Sequence, residues 1–240
     1  MRRATINEYE KLADKLSNNV GVMNYRFMDL CVKAEPVSLL PIEVLIEGEI
    51  KKIEECANIS KEGDFQFEVF PNYEEDLNAI MKGIMRFHPE FKQEIKTTSV
   101  SVPDENGHDK SYDVKYLLLT MPEVNDDRYD VLKDGVKVIY NDCKVQMELA
   151  NNKSKVKFAE LAMGETKENL ELLDKELDKL NNQWNTQRDN LYNAKLQEIE
   201  DAHNKWLAEQ DELERKRQED EAAHSETAAT SMRMDRTDIN

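Results

Sequence analysis

At 240 residues the chain has room for one elaborate domain or two small ones, and 35% charged against 39% hydrophobic residues argues for long exposed helices around a thin core. The net charge of −17 is unevenly spread, at +1 over residues 1–35, −8 over 36–121, −1 over 122–163 and −9 over 164–240, which argues against DNA binding or nucleic-acid binding through the whole surface. Cys31, Cys56 and Cys143 are odd in number and far apart, so no disulfide framework is implied; with no signal-peptide core and no long apolar run, a reduced, cytoplasmic compartment away from membranes is expected.

The first helix is expected over residues 5–34. Tyr9, Leu12, Leu16, Val20, Met23, Phe27, Leu30 and Ala34 recur at steps of three and four, which gathers them on one stripe. Thr5 with Glu8 reads as a capping box, Cys31 falls at helical apolar spacing, and Pro36 ends the helix with Pro41 close behind.

From Ile42 to Thr120 the period changes. Ile42–Ile46 and Glu49–Ile53 flank Gly48 as short runs, and Ile59 with Phe65–Phe70 reads as two more strands around a turn. Glu74–Arg86 is a short helix with Leu77, Ile80, Met81, Ile84 and Met85 inward, closed by His88-Pro89. Lys92–Val102 and Ser111–Thr120 form a hairpin around Asp104-Glu105-Asn106-Gly107, with Val100 and Val102 facing Tyr112, Val114, Tyr116 and Leu118.

After Met121-Pro122 the helical period returns, with Leu132, Val136, Ile139, Cys143, Met147 and Ala150 as the stripe and Asn125, Asp126 and Asp127 favourable at the N-terminal dipole. Gly164 is a candidate helix stop. Beyond it no Gly or Pro occurs, and Leu170, Leu173, Leu177, Leu180, Trp184 and Leu191 make a third stripe. A second seam, Ile199, Ala202, Trp206 and Leu213, is displaced by one residue, and the helix would be roughly 85 Å long.

Three stripes bury one another in a bundle. The expected fold class is therefore α+β: a long, coiled-coil-like three-helix bundle made by residues 1–36 and 121–220, with a small α+β domain at 41–120 inserted after the first helix. Pro36, Pro41 and Pro122 mark two crossings that form a hinge. Residues 221–240, rich in Ala, Ser, Thr and charge, are expected to be a disordered tail.

This arrangement resembles the ribosome recycling factor family, over about residues 5–215. Lys33-Ala34-Glu35-Pro36-Val37-Ser38-Leu39-Leu40 is similar to the family's basic-Ala-x-Pro-x-Leu-Leu sequence, with one extra residue. Ile42-Glu43-Val44, Ala57-Asn58-Ile59-Ser60, Phe65–Phe70 and Leu77-Asn78-Ala79-Ile80 resemble its second domain. Val124-Asn125-Asp126-Asp127-Arg128 with Leu132 is similar to the opening of its second long helix. The resemblance implies a translation protein acting at the ribosome after termination, with large-subunit rRNA and an elongation factor as partners.

The departures bear on that role. Where the family has Arg-Thr-Gly-Arg, this chain has Leu30-Cys31-Val32-Lys33. Its row of rRNA-contacting arginines is replaced by Lys137, Lys144, Glu148, Asn151 and Asn152, and lysine lacks the bidentate fork for phosphate. Lys153, Lys155 and Lys157 offer compensation one turn on, against the plainer reading of a solvated face. The candidate RNA-binding set implied is Lys33, Arg128, Lys137, Lys144, Lys153, Lys155 and Lys157. The last helix also overruns the family's length.

Two functions stay open: a recycling-factor-like role in protein biosynthesis, or an interaction or assembly protein that keeps the fold and binds other proteins through helix 165–220. His88, His108, His203 and His224 show no metal spacing with the cysteines and read as surface or turn residues. No phosphate loop, nucleophile elbow or catalytic triad is present, so no enzyme, metal or cofactor is expected.

Overall fold

The structure is a computed structural model that describes residues 1–103 and 109–234, the side chains of 102, 103, 109 and 223–234 excepted. Helix α1 (Arg3–Met28) buries Leu12, Leu16, Val20, Met23 and Phe27. Helix α4 (Asp126–Ala162) buries Leu132, Val136, Ile139, Cys143, Met147 and Ala150, and α5 (Lys167–Met234) buries Leu173, Leu180, Ile199 and Ala202. The three helices pack on one another in one core because each has a single apolar stripe to remove from water. Leu177, Trp184 and Leu191 pack against that core from partly buried positions, while Leu213 is exposed.

Between α1 and α4 the chain forms the hairpin β1 (Glu43–Ile46) and β2 (Glu49–Lys52), the single turn α2 (Ile53–Cys56), strands β3 (Ala57–Lys61) and β4 (Gln66–Pro71), helix α3 (Leu77–Phe87), and the long strands β5 (Lys92–Pro103) and β6 (Asp109–Thr120). The larger sheet is antiparallel in the order β3-β4-β6-β5. Phe67, Val69, Leu117 and Leu119 point from it into a second core with Ile80 and Ile84 of α3 and Val44 of β1. Gly83 lets α3 lie against β1, because a methyl there would stand 3.0 Å from the Glu43 carbonyl oxygen. The fold is α+β, a long helix bundle with a small sheet unit set into its chain, and among the described residues no helix is long and apolar enough to cross a membrane.

Several local expectations change. Helix α1 stops at Met28, because Asp29–Lys33 turns away and Cys31 takes a left-handed φ of 45°. Cys31 then belongs to the insert's core rather than to the helical stripe. Thr5 and Glu8 are not a cap: the N-cap residue is Arg2, and both side chains are buried, at 1% and 6% exposure. The β5–β6 hairpin pairs Val100 with Tyr112, but both are exposed and the buried face is the opposite one, carrying Leu117 and Leu119. Met85 is exposed as well, so the inner face of α3 is narrower than its apolar content. The turn Asp104-Glu105-Asn106-Gly107 lies outside the described residues. Helix α5 continues through 221–234, where a disordered tail is expected, and 235–240 lie outside the described residues. Nothing in its sequence interrupts it, and at 68 residues it is about 100 Å long.

At the far end of the bundle, Glu165 ties the α4–α5 turn to the start of α1. Its carboxylate accepts from the Arg2 backbone N–H at 2.5 Å, the Thr5 hydroxyl at 2.7 Å and the Asn169 amide at 3.0 Å. Gly164 follows the end of α4 rather than capping it, and the Arg2 guanidinium occupies the space a methyl would need there. Hydrogen bonds from Arg2, then Thr5, hold the Glu165 carboxyl below its usual range. A depressed folded-state pKa contributes stability above the unfolded value, which is lost as pH falls through the folded one. Acidification through and below the ordinary glutamate range is therefore expected to loosen this end, read as faster amide exchange at the start of α1. Glu165→Gln is expected to flatten that dependence; an unchanged pH profile in the variant contradicts the assignment.

Candidate nucleic-acid interface on the second long helix

The basic residues of α4 occupy two flanks of the helix. At 100° per residue, Lys137, Lys144 and Lys155 lie within roughly 20° of one another, and all three are exposed. This row runs along the α5 side, where Lys155 and Asn151 border a cleft of about 670 Å³ whose other wall includes Asp174 and Asp178 of α5. Lys144 also acts on Asp189 of α5, whose carboxyl is pushed up by burial but held lower, on balance, by hydrogen bonds from Arg188 and Tyr140. Glu148, exposed, stands on the same flank. The row is thus cationic but edged with carboxylates, which weaken attraction for phosphate.

Lys153 and Lys157 lie on the opposite, α1-facing flank. Lys157 is committed: its ammonium is 3.5 Å from the buried Glu8 carboxylate, which also accepts from the Ser154 hydroxyl at 3.1 Å. The run Lys153-Lys155-Lys157 is therefore not one patch, since residues two apart on a helix point about 200° apart.

Arg128 and Lys33 lie at the joint. The Arg128 guanidinium donates to the Cys31 carbonyl at 2.9 Å and to the Pro122 carbonyl, binding the two crossings together. Lys33 is half-buried between Val32 and Ala34, each fully buried, the first in the bundle core and the second in the insert core. The crossing from bundle to insert thus falls at Cys31–Ala34. Pro36, which opens a 3₁₀ turn, and Pro41 already lie on the insert side, next to the buried Leu39 and Ile42. Pro122 lies between Met121 of the insert core and Val124 of the bundle core. A further tie comes from α5, where Lys205 pairs with Asp64 at 2.9 Å and lies 5.9 Å from the Phe65 ring centre.

Three residues play parts that the sequence reading missed. Arg188 is buried at 7% exposure in the bundle, 5.0 Å over the Tyr140 ring and paired with Asp189 at 2.7 Å. His203 donates from Nδ1 to the Val124 carbonyl at 3.0 Å and stacks on Tyr129 at 4.3 Å, so it is a packing residue of the joint rather than a surface one. His88 is buried in the insert, stacked on Phe91 at 4.5 Å and 3.1 Å from Glu90. Position 188 fits the three-four spacing between Trp184 and Leu191, so its place on the seam was a usable signal; the histidines carried none.

The chain is similar to a solution structure of the ribosome recycling factor, at 17% identity and a TM-score of 0.64, over 84% of this chain and 100% of that one. It is also similar, at 16% identity and a TM-score of 0.50, to the T. thermophilus ribosome recycling factor placed with the E. coli elongation factor G on the E. coli post-termination complex, over 81% of this chain and 98% of that one. No family model matches the sequence, and no curated protein matches it. The match takes in all or nearly all of both proteins, and the chain has the fold of the ribosome recycling factor.

Proposed function

We propose that this chain is a recycling-factor-like translation protein that acts on the ribosome after termination. The observation that carries this reading is a fold that corresponds to the whole length of a ribosome recycling factor. A similar protein is described on the post-termination complex with elongation factor G, and an elongation factor is accordingly the proposed protein partner here. The role is mechanical: a long bundle bears on one surface while the insert, set by the joint, bears on another. Large-subunit rRNA would meet α4 along Lys137, Lys144 and Lys155, with Lys153 on the other flank. Arg128 and Lys157, held by Cys31, Pro122 and Glu8, would act through the fold rather than on phosphate.

A second reading, a protein-interaction role through residues 165–220 of α5, draws support from the carboxylates beside the lysine row. Asp174, Asp178 and Glu148 repel the phosphates that the row would attract. Co-sedimentation with ribosomal subunits over a salt series separates the two. The ribosomal reading expects binding that weakens steeply with salt. It also expects Glu148→Arg to tighten binding about tenfold at low salt and Lys144→Glu to weaken it by a similar factor, as one charge-assisted phosphate contact of roughly 1.5 kcal/mol would. Absence of binding at low salt, or binding indifferent to both substitutions, overturns the ribosomal contact through α4.

A further inference from the structure

Helix α4 and its C-cap residue Met163 carry a second apolar stripe that no element covers among the described residues. Val131, Val138, Val145, Leu149, Val156 and Met163 are 70%, 63%, 51%, 46%, 62% and 92% exposed. Their spacing is seven, seven, four, seven and seven, the stepping of a coiled-coil seam. The stripe lies on the side of α4 turned away from α1 and α5, apart from the row of Lys137, Lys144 and Lys155.

The seam reads the same in both directions about Met147. Val145 and Leu149 are equidistant from it, as are Val138 and Val156, and Val131 and Met163. Of the intervening positions, Asp142, which also pairs with Arg26 of α1 at 2.5 Å, mirrors Asn152. An antiparallel two-fold pairing brings residues of constant number-sum together, because an isologous interface places residue i on j and j on i. Three aliphatic pairs would then form, each twice about the dyad, and a carboxylate would face a carboxamide in a fourth. An antiparallel second copy meets this mirror relation along the whole stripe, and so is the occupant that it fits.

We infer that the outward face of α4 is a self-association surface, on which two copies pair antiparallel about a dyad at Met147. The seam is roughly 48 Å long and a helix about 10 Å across, so the pair would bury on the order of 1,000 Å² in total, the lower bound for a specific interface. Val22 of α1, 50% exposed beside Asp142 and Gln146, widens the apolar strip. Glu148 would approach its own copy near the dyad, with Lys144 one turn back to offset the like charge. Antiparallel helix dipoles also favour this orientation.

Sedimentation equilibrium of the full chain at rising micromolar concentration tests the inference. A concentration-dependent dimer is expected, and Val138→Asp should reduce the mass to that of one chain with an unchanged helical circular dichroism signal, since Val138 is exposed in the single chain. Register is tested by crosslinking, because the three native cysteines are buried. Val131→Cys combined with Met163→Cys should form a disulfide dimer under oxidation, whereas Val131→Cys alone should not. A chain that stays monomeric, a dimer that survives Val138→Asp, or crosslinking through Val131→Cys alone overturns the inference. None of these readouts depends on the ribosome, so this result and the proposed function stand or fall separately.

Discussion

Arg128→Ala is expected to destabilise the chain and to free the angle between bundle and insert. The guanidinium donates to two backbone carbonyls, at Cys31 and Pro122, on the outgoing and returning strands of the joint. Among the described residues, removing it leaves both acceptors without a hydrogen-bond donor, at roughly 1–3 kcal/mol for each one kept from water. Arg128→Lys should recover only part of the loss, because an ammonium lacks the planar fork that spans both carbonyls. Urea unfolding gives the stability, and fluorescence transfer between labels on α4 and β5 gives the spread of interdomain angles. A variant with unchanged stability and an unchanged angle distribution would show that the joint is held elsewhere. Another tie across the joint is the Lys205–Asp64 pair, which is solvent-exposed and worth little alone, whereas the His203 contact to Val124 lies within the bundle. Substituting Pro36 or Pro41 should move the angle less than Arg128→Ala does, since both prolines already lie within the insert's packing.

This changes what the prolines mean for a hinge. A proline restricts its own φ and the conformation of the residue before it, so it marks where a helix cannot continue. It does not mark where two cores meet. That boundary is written in alternation, with Cys31 and Ala34 facing one core and Val32 the other. A reading by helical spacing absorbed Cys31 and Ala34 into the α1 stripe. Only the left-handed turn at Cys31, which no local signal announces, separates them.

The bundle itself was legible because each long helix carries one stripe at steps of three and four, and such a stripe has one physical outcome. The insert was legible as a change of period. Which face of β6 turns inward was not, since Tyr112, Val114 and Tyr116 alternate with Leu117 and Leu119 along one strand and both sets are apolar. Burial went to the aliphatic pair beneath α3, while Tyr116 found Phe70 at 4.9 Å on the outer face. The candidate site was legible only as a list of cations. Whether a cation is free depends on partners distant in sequence, such as Glu8 for Lys157 and the Cys31 carbonyl for Arg128, and spacing carries no information about those.

The two cores predict separable unfolding, which Phe67→Ala would expose. Phe67 is fully buried in the insert, with its ring 6.2 Å from that of Phe91, and belongs to a cluster distinct from the bundle's. Truncating a buried phenylalanine costs about 3–5 kcal/mol through lost transfer energy and the cavity left behind. For a unit of this size that is a large share of the whole stability, about 5–15 kcal/mol for a domain, and it corresponds to a melting shift of roughly 12–40 °C at about 4–8 °C per kcal/mol. The bundle shares none of the atoms removed. Its helical signal at 222 nm should therefore melt close to the original temperature, while the insert, followed by amide exchange in β4 and β6, melts earlier. The expected result is one broad transition in the parent chain and two in the variant. If Phe67→Ala lowers both signals together, Arg128 and the Lys205–Asp64 contact couple the cores into one cooperative unit, and the joint is a rigid corner rather than a hinge.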